Sequence, residues 1–365
     1  MRKLATVRRI DEINPIENAD AIEVATIGGW KVVVKKGQLQ AGELAIFFEI
    51  DSFLPDEPVY EFLKNKKTLD GREGYRLRTI KLRGQISQGL VLPLSDFPQF
   101  NDIVLKEDDD VSEWLNVVKW ELPEKGFNPH RKGNFPHFIR KTDEERIQNI
   151  KVSDLEAWQN EWFVETIKID GSSMTVYGIP DFKLPEDENA GVDQVEYFKV
   201  GVCSRNQEVS EGSKFWEQAK RYKIPERLQQ FYETENRKIA IQGELFGEGI
   251  QKNRWKLEGN DFRVFNIWDI DRQQYVGFDE LMNIITTLNS YFPKDEQLQT
   301  VQVLRVFHLA DMGTTRQDFL DRADELFDKG TVPVEGVVYK TNDFREDGAI
   351  SFKAISNKYL LAIGE

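Results

Sequence analysis

The chain has 365 residues, of which 40% are apolar and 31% charged, with a formal net charge of −14 and one cysteine, Cys203. That length exceeds most single domains, the composition suits a globular chain with a real core, and the negative mean field opposes indiscriminate binding to nucleic acid. A lone cysteine excludes an intrachain disulfide, no apolar run approaches the about 20 residues of a membrane span, and the opening MRKLATVRRIDEINP lacks a signal-peptide core, so a cytoplasmic protein with no membrane partner is expected.

The first hundred residues alternate Val, Ile and Phe with polar residues between Gly, Pro and Asp turns, which predicts short strands. They fall at Ala21–Ile27, Trp30–Lys35, Gly42–Ile50, Arg76–Leu82 and Gln88–Leu94, with one helical piece at Val59–Lys64. Many short strands predict a small β-barrel over residues 1–125, and an OB-like barrel is the natural candidate.

Basic residues gather in two places. Between Lys64 and Arg83 there are eight (Lys64, Lys66, Lys67, Arg72, Arg76, Arg78, Lys81, Arg83) against Asp70 and Glu73. Between Lys125 and Lys141 there are five, with two histidines and no acid. Each run reads equally as a solvated face or as a local site for a polyanion. The second run falls in a Pro- and Gly-rich stretch, which predicts a linker over residues 126–145.

Residues 146–365 mix both periods. Strands are expected at Phe163–Ile169, Ser173–Tyr177, Tyr197–Cys203, Ile239–Leu245, Phe262–Ile270, Val334–Tyr339 and Ala349–Ala354. Helices are expected at Ser213–Lys220, Pro225–Asn236, Asp279–Leu288 and Thr315–Lys329. The class is therefore α+β.

Several residue groups in this half suit chemistry. Lys168-Ile169-Asp170-Gly171 ends an apolar run, and a lysine leaving a strand before a glycine turn can project into a cleft. Its attack on phosphorus needs the neutral amine, which desolvation or neighbouring cations favour. Alone, the string equally describes a surface lysine at a turn. Glu244, bracketed by Gly243 and Gly247, suits a ribose hydroxyl or a hydrated metal ion. Phe265 suits either core packing or one wall of a base pocket. Glu335 opens an apolar strand and is costly to bury unless paired or bound to a cation. Lys353 sits among apolar residues, where it can meet a phosphate or depress a second lysine's pKa.

In order, the chain reads Lys-x-Asp-Gly, Ser204-Arg205-Asn206, Gly-Glu-Leu, Phe-Asn-Ile, Glu-Gly-Val-Val and Phe-Lys. This series resembles the motifs of the covalent nucleotidyltransferases, which comprise DNA ligases, RNA ligases and mRNA capping enzymes. The resemblance covers roughly the C-terminal three-fifths. Gly-Glu-Leu-Phe-Gly, the serine at 173 and the Thr142–Asn149 segment resemble ATP-dependent RNA ligases of the Deinococcus and Naegleria type, which carry an OB domain in front. The chain ends soon after Lys353, so no further domain is expected behind.

The resemblance implies an OB-like β-barrel followed by a nucleotidyltransferase domain of antiparallel sheets flanked by helices. It implies that Lys168 takes AMP from ATP as a phosphoramidate. ATP or AMP would be held by Arg146, Ile167, Lys168, Arg205, Glu244, Phe265, Glu335 and Lys353. Phe265 would stack on adenine, Lys353 would contact the α-phosphate, and Arg146 would reach the triphosphate tail. Asp170, Glu244 and Glu335 would hold Mg²⁺ or Mn²⁺. AMP would pass to a 5′-phosphate of RNA, and a 3′-hydroxyl would then displace it, in a nicked duplex and with the enzyme a monomer. Relatives often carry a second lysine two residues after Lys353; Ile355 stands there, and Lys358 is the next lysine. A DNA ligase, a GTP-using capping enzyme and a non-catalytic nucleic-acid-binding relative are the alternatives.

Overall fold

The computed structural model describes residues 2–121, 130–183, 195–329, 334–342 and 349–363. The chain divides into two compact units, Met1–Asn128 with Leu360–Glu365, and Pro129–Tyr359. Residues 122–129, which span the end of the expected β domain with Lys125 of the second basic run and the first four residues of the expected linker, lie outside the described residues.

The first unit is built from short antiparallel strands. Ala5–Arg9 and Leu90–Pro93 flank Leu44–Phe48. Leu44–Phe48 is buried on both faces, as its continuous apolar run requires. Ile46 and Phe48 join a cluster with Val7, Leu54, Tyr60 and Tyr75. Ala45 and Phe47 join a second cluster with Ile27, Trp30 and Val32. Full burial of such a side chain contributes about 1.5–3 kcal/mol. Glu12–Pro15, Ile22–Ile27 and Trp30–Lys35 form a three-stranded meander.

The segment expected as one strand at Arg76–Leu82 is instead parts of two hairpins. Lys66–Leu69 pairs with Arg72–Arg76, and Thr79–Leu82 pairs with Gln85–Gln88. Each closes on two residues with positive φ: Asp70 at 49° and Gly71 at 77°, then Arg83 at 49° and Gly84 at 84°. That is the hairpin turn whose twist matches its strands. The expected helical piece is a 3-10 turn, Pro58–Leu63.

The second unit has two sheets. The larger has eight strands, with Ser172–Lys183, Ile239–Gly247 and Asn260–Asp269 running side by side and Arg131–Asn134 at one edge. Helices Lys214–Arg221, Ile224–Glu235 and Phe278–Asn289 supply buried residues to the cluster that covers it. Buried Arg227 ties these helices together by donating to the carbonyls of Tyr222 (2.7 Å), Glu296 (2.6 Å) and Leu288. The smaller sheet runs Glu145–Arg146, Ser351–Ile355, Gly336–Thr341, Trp162–Lys168, Val303–His308. Helix Arg316–Lys329 closes its outer face through Phe319, Leu320 and Ala323. Two of the smaller sheet's strands, Val303–His308 and Glu145–Arg146, were not predicted. Among the described residues, no helix is long and apolar enough to cross a membrane.

Candidate active site

Lys168 is the last residue of a strand in the smaller sheet, and Ser172 is the first of a strand in the larger. The three residues between them, Ile169-Asp170-Gly171, carry the chain from one sheet to the other. Gly171 is required here by close approach. A Cβ on it would lie 2.5 Å from the Leu245 carbonyl oxygen and 2.9 Å from Glu244 Cγ. The glycine thus lets the turn lie against the strand that carries Glu244.

Alternation divides the Lys168 strand between two environments. Phe163 and Glu165 face the helix-covered core, and Lys168 falls on the opposite set. Strand register puts Lys168 beside Gly336 and puts Val338 between Thr166 and Lys353. Glu335 precedes its strand, and its backbone N–H donates to the Lys168 carbonyl at 3.2 Å. Its carboxylate accepts from Lys168 Nζ at 2.7 Å. Burial alone pushes Lys168 down, but Glu335, Glu244 and Glu144 outweigh it and hold the ammonium above its ordinary value. The protein's own side chains therefore do the reverse of activating this amine. The expectation that the surroundings favour proton loss is not met by the protein groups alone.

Glu244 pairs across the sheet with Ser173 on one side and Arg263 on the other. Burial pushes its carboxyl up to about 8; Lys168 opposes the shift, while Glu335 and Asp170 add to it. A carboxyl that resists ionisation beside two other acids is a place where added positive charge is favoured. Asp170 is engaged by Arg254, whose guanidinium lies 5.6 Å from the Tyr359 ring centroid.

Phe265 owes its placement to a bulge. Gln242 pairs with Asn266 and Gly243 with Val264, leaving Phe265 as the extra residue. Bulges re-aim a side chain. Gly243 permits the close pairing, since a Cβ there would lie 2.4 Å from the Arg263 carbonyl oxygen. Phe265 is half-buried and packs against the apolar cluster that includes Ile167, Ile169 and Phe246. Ile167 points its side chain into that cluster, so only its main chain is offered elsewhere.

Lys353 pairs side by side with Arg146, in parallel. Burial, with the Arg146 cation next, depresses its ammonium to about 8, although Asp143 at 3.4 Å pulls the other way. Asp143 also lies 3.8 Å from Arg205, which is nearly half exposed. Buried Arg146 and Lys353 thus crowd two positive charges together, an arrangement a polyphosphate would relieve.

Three contributors escaped the sequence reading. Lys340 donates to the Phe265 carbonyl at 3.0 Å and to Asn266 Oδ1 at 2.5 Å, and lies 5.4 Å from the Phe265 ring centroid. It therefore braces the bulge from the other sheet. Glu144 lies 3.6 Å from Lys340. Burial pushes Glu144 up, but Lys340, Lys353 and Lys168 outweigh it and keep it ionised. Arg254 is the third. A usable signal existed for Lys340: a lysine ending the apolar run Val337-Val338-Tyr339 has the same cost of burial that singled out Glu335. Lys358, in contrast, is committed to Asp328.

The available donors for a metal are carboxylate oxygens, which suit a hard dication such as Mg²⁺ or Mn²⁺. Among the described residues, no three acidic, histidine or cysteine side chains converge to hold a bare ion. The fit is therefore to a cation that keeps much of its water, as Mg²⁺ does.

Known proteins share the family and the fold. Residues 4–94 match a family described as an OB-fold domain, and residues 161–355 match one described as RNA ligase. Solved structures of Naegleria gruberi RNA ligase are similar along nearly the whole chain. The form with pyrophosphate is 40% identical, with TM-score 0.83, covering 99% of this chain and 98% of that one. A mutant with AMP and Mn is 40% identical and another with ATP and Mn is 39%, each with TM-score 0.83 and 98% of both chains covered. Among curated proteins, none matches the chain.

Proposed function

The chain belongs to the RNA ligase family, and from that premise we propose that it joins RNA 3′-hydroxyl and 5′-phosphate ends at nicks, as in RNA repair, through a lysyl-AMP on Lys168. ATP is the adenylate donor, as the ATP complex of the Naegleria gruberi enzyme supports. The observation that carries the reading is Lys168 at the junction of two sheets, 2.7 Å from Glu335 and in the field of Glu244.

In the first step Lys168 Nζ attacks the α-phosphorus of ATP. The N–P bond forms as the bond to pyrophosphate breaks, and Nζ gives up its proton. Glu335 is the nearest acceptor for that proton in the described residues. Phe265, turned out by its bulge and braced by Lys340, stacks on adenine. Glu244 faces the ribose. Lys353 contacts the α-phosphate, and Arg146 takes the triphosphate tail. Glu244, Glu335 and Asp170 would hold a divalent cation through its water shell, and that cation would supply positive charge that favours the neutral amine.

In the second step the RNA 5′-phosphate attacks the lysyl-AMP phosphorus, freeing Lys168 and leaving AMP in a 5′–5′ linkage. In the third, the 3′-hydroxyl attacks the former 5′-phosphate, a phosphodiester forms, and AMP leaves. Arg205, exposed beside the site, engages a phosphate of the RNA end. In-line displacements at phosphorus depend mainly on positioning and charge.

Intact-protein and peptide mass spectrometry tests this reading. With ATP and Mg²⁺, an AMP adduct is expected on the Lys168 peptide, reversed by pyrophosphate and missing in Lys168→Ala. A reversible adduct on another lysine would overturn it.

A further inference from the structure

The sequence contains two basic runs, and the fold treats them differently. In the second, three of the four described cations are used within their own unit, while Arg140 is exposed. Lys132 pairs with Glu208 at 2.8 Å, Arg131 donates to Asn134 at 3.2 Å, and Lys141 donates to Asn206 at 3.2 Å while lying 5.4 Å from the Phe135 ring centroid. This run fastens an edge of the larger sheet.

The first run forms the two successive hairpins, with only Leu77 and Arg78 between them. Elsewhere in this unit several cations lie against acids, as Arg8 does with Asp108 (3.0 Å) and Lys31 with Glu12 (3.4 Å), while the exposed Lys35, Lys36 and Lys106 make no ion pair among the described residues but do not gather on one pair of turns. At the hairpin bases, Lys66 reaches Asp56 (2.6 Å) and Arg76 reaches Asp51 (3.6 Å). Lys64, Lys67, Arg72, Lys81 and Arg83 are exposed and, among the described residues, make no ion pair or side-chain hydrogen bond. In a chain with 63 acidic residues against 49 basic ones, internal partners are plentiful. Like charges left unneutralised repel one another, and a polyanion removes that cost.

Ring chemistry narrows the partner. Tyr75 is the sole aromatic residue from 64 to 88, and it is 2% exposed. The hairpins therefore offer no platform on which unpaired bases could stack. Point charges without rings suit phosphates and carry no base preference. Exposed Ile80 and Leu82 flank Lys81 near the tip of the second hairpin and suit contact with sugar edges. Double-stranded RNA is read in this way, by shape, phosphate and 2′-hydroxyl across its wide minor groove.

We propose that the two hairpins, through Lys67, Arg72, Lys81 and Arg83, form a docking surface for the sugar–phosphate backbone of duplex RNA. The proposal rests on the RNA-ligase reading and deepens it by assigning the duplex contact to these turns.

The test uses the full chain in three forms: Lys67→Ser with Arg72→Ser, Lys81→Ser with Arg83→Ser, and the charge-preserving pair Lys81→Arg with Arg83→Lys. Affinity for a nicked RNA duplex is measured across a salt series. Each serine pair is expected to make the slope of log affinity against log salt shallower by about two, while self-adenylylation with ATP stays at the wild-type rate. The charge-preserving pair should keep the wild-type slope. Unchanged slopes in both serine pairs overturn the proposal, as does an equal loss for single-stranded RNA or for the charge-preserving pair. A wild-type protein that takes no AMP would instead sink the ligase reading, and duplex binding would still judge the hairpins.

Discussion

Two buried or half-buried glutamates of the second unit have opposite surroundings. Glu165 is fully buried on the core face of the Lys168 strand. It accepts from Arg305 (2.9 Å), Arg322 (3.1 Å) and Tyr339 (3.0 Å). Glu244, across the turn in the larger sheet, receives no side-chain hydrogen bond among the described residues, and its carboxyl is driven up to about 8. A buried carboxylate with every lone pair used holds structure together. One left beside Lys168, Glu335 and Asp170 with no donor is prepared for something the protein does not itself supply.

The sharpest way to break this comparison is to remove each acid. Glu244→Ala should slow self-adenylylation by about 100-fold or more, the scale of losing a group that stabilises developing charge. Its urea midpoint should not fall. A variant that unfolds early while its folded fraction keeps the wild-type rate would put Glu244 in the same class as Glu165.

Glu165→Ala should do the opposite. It takes the carboxylate from Arg305 and leaves Arg322 only Glu325 (3.1 Å), and breaking a buried ion pair costs about 3–5 kcal/mol. Arg305 and Arg322 are a quarter to a third exposed, which keeps the loss near the lower end. Urea denaturation measures this, and the adenylylation rate per folded molecule should stay within about twofold of wild type.

Lys340→Met sharpens the comparison at the bulge. The Phe265 carbonyl and Asn266 lose a charged donor, worth about 1.5 kcal/mol or more. KM for ATP in adenylylation is expected to rise about tenfold with little change in kcat. Equal loss in both would mean that Lys340 acts on the reacting phosphate and not through Phe265.

The smallest effect concerns pH. Burial, with the Arg146 cation next, pushes Lys353 down to about 8 in the fold, against about 10.5 unfolded. Between those values the unfolded chain binds more protons, so this lysine makes stability rise with pH through that window. Lys353→Met should therefore raise the melting temperature at pH 7, with the gain shrinking between pH 8 and 10.5. A pH-independent difference would show that Lys353 is not depressed.

The parts of this site that were legible in the sequence share a cause. Lys168 and Gly171 are recognisable because strand end and glycine turn are written in adjacent residues. Glu335 is recognisable because an acid before an apolar strand is costly wherever it folds. The two basic runs were equally visible and equally ambiguous. Phe265 was recognisable as a residue, but not the one-residue slip against Gln242 and Gly243 that presents it. Lys340 and Glu144 lie about 200 residues apart in sequence and meet only through the packing of Glu145–Arg146 against the smaller sheet.

The sequence alone determined most of the longer strands and helices of the second unit, a lysine at a strand end before a glycine turn and the family's motif series, because these depend on neighbours a few residues away. Only the tertiary structure decided which charged groups are paired and with which partners. It tied Asp170 to Arg254, Lys358 to Asp328 and Glu165 to two arginines. Among the described residues it gave Glu244 no side-chain donor, and it held the Lys168 ammonium above its ordinary value. Charge interactions fall off with distance and strengthen with burial, and both are set by segments that meet only when the chain is folded.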